Sequence, residues 1–197
     1  MYDAPRRAPL MPLDEALQRL LAHAAPLGGT ESVNTFDADG RVLAQDVVSA
    51  LQVPPNDNSS MDGYAVRAAD VTAGVELPVT QRIAAGHAGE PLAPGSAARI
   101  FTGAPMPAGA DAVVMQEDTE TLEGGARVRI QVVPAPGQWV RRAGEDVMRG
   151  ATVLHKGERL APAGMGLAAG IGLNQLLVAS RPRVALFSTG DELVMPG

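Results

Sequence analysis

Apolar positions first recur at helical spacing, at Leu13, Leu17, Leu20, Leu21 and Ala24. This spacing predicts an amphipathic helix over 12–25. Pro12 suits its first turn, Asp14 and Glu15 suit the positive end of its dipole, and Pro26 with Gly28-Gly29 stops it. From Glu31 the pattern shortens. Asp39-Gly40 is a turn signal between two runs, Ser32–Phe36 and Val42–Val48. Pro54-Pro55 breaks the chain, and Asn56–Met61 reads as a polar loop.

Residues 75–140 read as a small β unit. Its runs are Val79–Ala84, Ala98–Thr102, Ala112–Gln116 and Arg127–Val133, punctuated by Gly, Pro and Asp at the spacing of a barrel or sandwich. Gly124-Gly125 marks a hairpin tip. Beyond a charged stretch, Arg141–Val147, the sequence predicts a short strand between Gly150 and Gly157, and a small-residue helix over Pro162–Leu173. A strand at Leu176–Ala179 follows, then a fully apolar strand at Arg183–Phe187. That last run, ending in Ser188-Thr189-Gly190-Asp191, is the pattern of an α/β sheet opening.

Composition narrows the picture. Aromatics are 3% of 197 residues, so the core must be aliphatic, and 22 Gly with 16 Pro argue for turns and short strands over a helix bundle. A formal charge of −6 argues against a nucleic-acid binder but not against a small anionic ligand. The absence of cysteine excludes disulfides and thiolate metal sites. No apolar run reaches bilayer-spanning length, and no signal peptide is evident, so cytoplasm is the expected compartment. His23, His87 and His155 fall in no metal-ligand spacing. Gly164–Gly170 has one residue too many for a dinucleotide loop and reads as a helix-packing stretch.

Four segments can carry chemistry. In Ser59-Ser60-Met61-Asp62-Gly63-Tyr64-Ala65, Gly63 lets the backbone bend beside a carboxylate; on spacing alone a plain Asp-Gly turn is commoner. In Arg99–Pro107, a strand feeds Thr102-Gly103, whose N–H groups and hydroxyl can hold an oxyanion; a stiff surface turn is the plainer outcome. Gly144-Glu145-Asp146 after Arg141-Arg142 offers a hard-cation and anion site, or a solvated ion-pair cluster. Ser188-Thr189-Gly190-Asp191-Glu192 should lie at the carboxyl end of a strand, where α/β ligands gather, and there the two readings are even.

Taken in order, Ser-Met-Asp-Gly-Tyr-Ala, Arg-Ile-Phe-Thr-Gly-Ala-Pro-Met-Pro-Ala-Gly-Ala-Asp-Ala-Val-Val, Arg-Ala-Gly-Glu-Asp and Arg-Pro-Arg-Val-Ala-Leu-Phe-Ser-Thr-Gly-Asp-Glu-Leu resemble the molybdopterin molybdotransferase family, which includes MoeA and the gephyrin E domain. The resemblance runs from about Leu13 to the last residue and implies an elongated α+β multi-domain homodimer. A mixed linking domain would comprise 1–53 and 141–180, a small all-β barrel- or sandwich-like domain 54–140, and the start of a truncated α/β molybdopterin-binding domain 181–197. It implies insertion of molybdenum from molybdate into adenylylated molybdopterin, releasing AMP, with Mg2+ as the cation. The chain alone is then expected to be inactive or nearly so. Carried over by position, Asp62, Thr102, Asp146 and Glu192 are the expected catalytic residues. Asp62, Asp146 and Glu192 are the expected metal ligands, and Ser60, Gly63, Gly103, Ser188, Thr189 and Gly190 the expected substrate contacts. The implied partners are a second copy, the small-molecule substrate and the molybdopterin-adenylating protein, with neither nucleic acid nor membrane. A gephyrin-like scaffold that binds peptides without catalysis is the competing expectation; it has no need of the acids.

Overall fold

The computed structural model describes residues 10–25, 28–187, 190, 192 and 194. The predicted first helix is present as α1 (Leu13–Ala22), entered from Pro12, with Asp14 and Glu15 in its first turn and a Glu15–Arg19 ion pair at 2.6 Å one turn apart. No residue of α1 is buried; Leu13, Leu17, Leu20 and Leu21 all face solvent.

The two runs flanking the Asp39-Gly40 turn pair elsewhere and not with each other. β1 (Thr30–Asn34) pairs antiparallel with β12 (Gln175–Ala179), at the far end of the chain. Thr35 explains the diversion. It is fully buried, its N–H donates to the Asn174 carbonyl at 2.9 Å and its hydroxyl to the Leu173 carbonyl at 2.7 Å. These bonds fasten the chain to the β12 approach before it can fold back. The Asp39-Gly40 turn exists, with Gly40 at φ 70°, but Val42 and Leu43 then bridge to Arg159 and Val178. β2 (Val47–Val48) pairs with β11 (Thr152–Leu154), the strand expected between Gly150 and Gly157. α2 (Pro162–Gly170) covers these pairs, starting at its proline as predicted. A first core results from Leu43, Val47, Leu154, Leu160, Ala168, Ile171, Leu176 and Val178. Burying each of the larger side chains contributes on the order of 1.5–3 kcal/mol.

Between β2 and β11 the chain runs out through β3 (Asn58–Ser59) and returns through β10 (Val140–Arg141), which pair antiparallel. Inside that loop lies a curled six-stranded sheet: β4 (Gly63–Val66), β5 (Glu76–Ile83), β6 (Ala97–Ile100), β7 (Ala112–Met115), β8 (Thr119–Leu122) and β9 (Arg127–Ile130). The spatial order is β7-β4-β6-β5-β9-β8, and every pair is antiparallel except β5–β6. Side chains alternate between its two faces. One face packs Ala65, Ile83, Ala98, Ile100 and Val113. The other packs Tyr64, Val66, Leu77, Val114, Val128 and Ile130. Gly124 and Gly125, at φ 65° and 101°, make the β8–β9 hairpin turn.

The arrangement is mixed α+β, with few helices. The expected strand at Arg183–Phe187 is absent. Val184, Leu186 and Phe187 are exposed there, and among the described residues no strand pairs with the segment. A strand of a parallel sheet is stabilised by neighbours and by helices on both faces, and none of these meets the segment among the described residues.

Candidate functional site

Two of the four candidate segments meet. Ser59, almost wholly buried, shapes the first: its hydroxyl donates to the Met61 carbonyl at 2.6 Å. Half-buried Ser60 donates its N–H to the Trp139 carbonyl at 2.9 Å. The second segment leaves β6 through Phe101 into the Thr102-Gly103 turn, with Gly103 at φ 80°. Gly103 donates to the Ser59 carbonyl at 2.8 Å, and Ser59 to the Ala104 carbonyl at 2.9 Å. The loops are therefore stitched backbone to backbone.

Asp62 sits at the seam. Its Oδ1 accepts two hydrogen bonds from Thr102, from the N–H at 2.9 Å and from the hydroxyl at 2.9 Å. The Thr102 N–H first, then its hydroxyl, and then the charge of Arg99 hold the Asp62 carboxyl below the usual carboxylate range. Asp62 is exposed, and its Oδ2 has no partner among the described residues. The result is a carboxylate that is ionised at neutral pH, fixed by one oxygen and presenting the other. Such a group accepts protons or positive charge; it is not a general acid at neutral pH.

The same bonds correct the expected oxyanion seat at this turn. The Thr102 N–H and hydroxyl serve Asp62, the Gly103 N–H serves Ser59, and the Ala104 N–H serves the Phe101 carbonyl. The turn has no free donor to offer an anion. Gly63, expected to contact substrate, instead lies buried at the start of β4, facing Val114 of β7. Replacing Thr102 with Val removes one of the two donors to Asp62. The Asp62 titration, followed by its carboxyl 13C shift, should move upward towards the free value near 3.9; an unmoved titration would contradict the bonding described.

The third segment forms a separate knot. The Gly144 N–H donates to the Pro54 carbonyl at 2.9 Å, and the Asp146 N–H to Val53 at 2.9 Å. Asp146 is ion-paired with Arg141 and so is neutralised locally. Asp57 organises the knot from below, accepting from the Ala143 N–H at 2.8 Å and from Arg142 Nη1 at 2.6 Å. Sequence reasoning passed over Asp57; its only signal was an acid in the turn-rich loop after Pro54-Pro55. The Ala143 N–H first, and then the bond and charge of Arg142, lower its pKa against the effect of partial burial. A depressed carboxylate stabilises the fold above its unfolded-state pKa, and the contribution fades as pH falls through the folded value. Asp57→Ala should therefore cost about 1 kcal/mol at pH 7. The deficit should shrink below about pH 4, as read by denaturant melts at both pH values. A pH-independent deficit would assign the effect to packing alone.

Asp62, Asp146 and Glu192 do not form one cluster. Among the described residues no group of three His, Cys, Asp or Glu side chains is arranged to hold a metal ion. With Asp62 Oδ1 held by Thr102 and Asp146 held by Arg141, these residues do not fit a self-contained magnesium site of carboxylates. In the fourth segment Gly190 and Glu192 are exposed, while Ser188 and Thr189 lie outside the described residues.

Residues 11–172 match the family described as the MoeA N-terminal region, domains I and II. The chain is 46% identical over 186 residues to a protein of Mycobacterium tuberculosis named molybdopterin molybdenumtransferase 2, covering 91% of this chain and 45% of that protein. It is 39% identical over 189 residues to the molybdopterin molybdenumtransferase of Haemophilus influenzae, covering 95% and 46%. The crystal structure of a molybdopterin biosynthesis moeA protein from Pyrococcus horikoshii superposes with a TM-score of 0.82 at 37% identity, covering 88% of this chain and 47% of that one. The chain thus spans about half the length of the relatives it matches.

Proposed function

The chain belongs to the MoeA N-terminal family, and from that premise we propose that it supplies part of the site where molybdenum from molybdate enters adenylylated molybdopterin and AMP is released. The Asp62–Thr102 junction carries this reading. Two donors of the neighbouring loop fix this exposed carboxylate, while among the described residues its other oxygen has no partner and faces outward. In the proposed reaction Asp62 offers that oxygen as a fixed negative charge, orienting a donor group of the substrate or taking up a proton. Thr102 acts as the positioning residue for Asp62. Gly103, bonded to Ser59, holds the two loops together, Ser60 ties the first of them to Trp139, and Asp146 and Arg141 border the site. Glu192, Gly190, Ser188 and Thr189 belong to the part of the proposal that is carried by family position alone.

The two cores support a division in which a linking domain, from 1–53 and 141–180, carries an inserted β domain, 54–140, with 181–197 belonging to an α/β unit. The unburied leucines of α1 support a reading in which a second copy or a further segment covers them. A homodimer, exchange with the molybdopterin-adenylating protein and cytoplasmic residence complete the proposal. The relatives' names speak for a transferase over a peptide-binding scaffold. The test is AMP release by the full-length protein given adenylylated molybdopterin, molybdate and magnesium. Release that depends on molybdate is expected; a folded protein that releases none would overturn the proposal.

A further inference from the structure

The curled sheet carries a cavity on the face that bears Tyr64 and Arg99. It has a volume of about 610 Å3 and is lined by Tyr64, Thr80, Arg82, Arg99, Gln116 and Thr121 among others. Strand register builds its wall. Tyr64 of β4 lies opposite Arg99 of β6, and Arg99 lies beside Arg82 of β5. Cross-strand partners share a face of the sheet, so the three side chains form one row. Phe101, two residues beyond Arg99, supports both cations. The Arg82 guanidinium lies 4.4 Å from its ring centre and that of Arg99 4.7 Å. Arg99 also lies 5.2 Å from the Tyr64 ring, whose hydroxyl is 3.2 Å from Thr121 Oγ1 across the cavity floor.

The two arginines differ in what they have left to give. Arg99 is fixed, donating to the Gly63 carbonyl at 3.0 Å and to Gln116 Oε1 at 2.7 Å. Arg82 is exposed, and among the described residues it makes neither a hydrogen bond nor an ion pair. Ring stacking orients its guanidinium while leaving the N–H fork free, the geometry suited to a bidentate oxyanion. In a chain of net charge −6, two stacked cations that have no salt-bridged acid among the described residues form a local positive mouth. Arg99 is also the cation whose charge reaches Asp62, so the mouth adjoins the Asp62–Thr102 seam.

We propose that this mouth is an oxyanion-binding site, with Arg82 as the principal donor, Arg99 as the fixed second charge and a tetrahedral oxyanion as ligand. It provides the anion seat that the Thr102-Gly103 turn lacks. The ligand is either molybdate or a phosphate of the substrate; this choice rests on the reaction proposed above, whereas the anion site itself does not.

The test is isothermal titration of the full-length protein with molybdate, inorganic phosphate and AMP in separate arms, repeated for Arg82→Gln and Arg82→Lys. Binding in at least one arm is expected, weakened about tenfold or more by Arg82→Gln and partly retained by Arg82→Lys, with melting temperatures unchanged. Loss confined to the molybdate arm assigns the mouth to molybdate, and loss in the phosphate and AMP arms assigns it to the substrate's phosphate. Binding that Arg82→Gln leaves intact overturns the proposal, as does binding in no arm. A protein that binds an oxyanion through Arg82 yet releases no AMP keeps the site and loses the reaction.

Discussion

Replacing Gly63 with alanine should collapse the curled sheet. An added Cβ would lie 2.0 Å from the Val114 carbonyl oxygen, 2.9 Å from its carbonyl carbon and 3.1 Å from the Met115 Cα. All three are backbone atoms of the adjacent strand, so no rotamer change relieves the contact. Gly63 lies in the β4–β7 pairing, where the register sets it opposite Met115, and separating the strands exposes the aliphatic core on both sheet faces. The expected cost is about 3 kcal/mol or more, a fall in melting temperature on the order of 10 °C for a chain of this size. Gly166→Ala is the matched control. Its added Cβ meets nothing within 4 Å, so α2 should be unchanged or slightly more stable. A Gly63→Ala protein melting within 2 °C of the parent would refute this account of the close approach.

Loss of the Asp62 charge should lower molybdate-dependent AMP release by the full-length protein about a hundredfold or more. Comparing Asp62→Ala with Asp62→Asn separates two roles. Asparagine keeps an oxygen able to accept from the Thr102 N–H and hydroxyl, and so preserves the seam between the loops. It lacks the charge. If Asp62 acts chemically, Asn is impaired as severely as Ala while melting like the parent. If Asp62 only ties the loops together, Asn retains nearly full activity, and Asp62 leaves the list of catalytic candidates.

What the sequence made legible follows the reach of each signal. Periodicity is local, so α1, α2, β5, β6, β7, β9 and β12 were all readable where apolar positions repeat within one element. β4 was not read as a strand: it is buried at all four positions, shows no alternation, and overlaps a segment rich in candidate chemistry. The Ser32–Val48 segment, whose two runs pair with distant strands, was illegible for the opposite reason. Its turn was read correctly, but the pairing is decided by Thr35 bonding to Leu173 and Asn174, a contact outside any local window. The site divides in the same way. The Asp62 and Thr102 motifs stand out in sequence, and the structure joins them. The engagement of every donor in the Thr102-Gly103 turn, the role of Asp57, and the Arg82–Phe101–Arg99 stack arise only from register and tertiary approach.

The β3–β10 pair has a consequence for how an insertion of this size is tolerated. Ser32 and Gln175, whose side chains bond on the exposed face of the β1–β12 pair, are 143 residues apart, and most of that separation is the excursion through the curled sheet. Loop-closure entropy grows only with the logarithm of length, so each doubling of such an excursion costs about 0.6 kcal/mol. The length of the excursion is therefore thermodynamically cheap, and the separation of its two feet matters more. By clamping Asn58 to Arg141 and Ser59 to Val140, the pair presents the first core with feet a strand's width apart. A short turn could bridge that gap, making the sheet a cassette whose removal or exchange leaves the geometry of its neighbours intact.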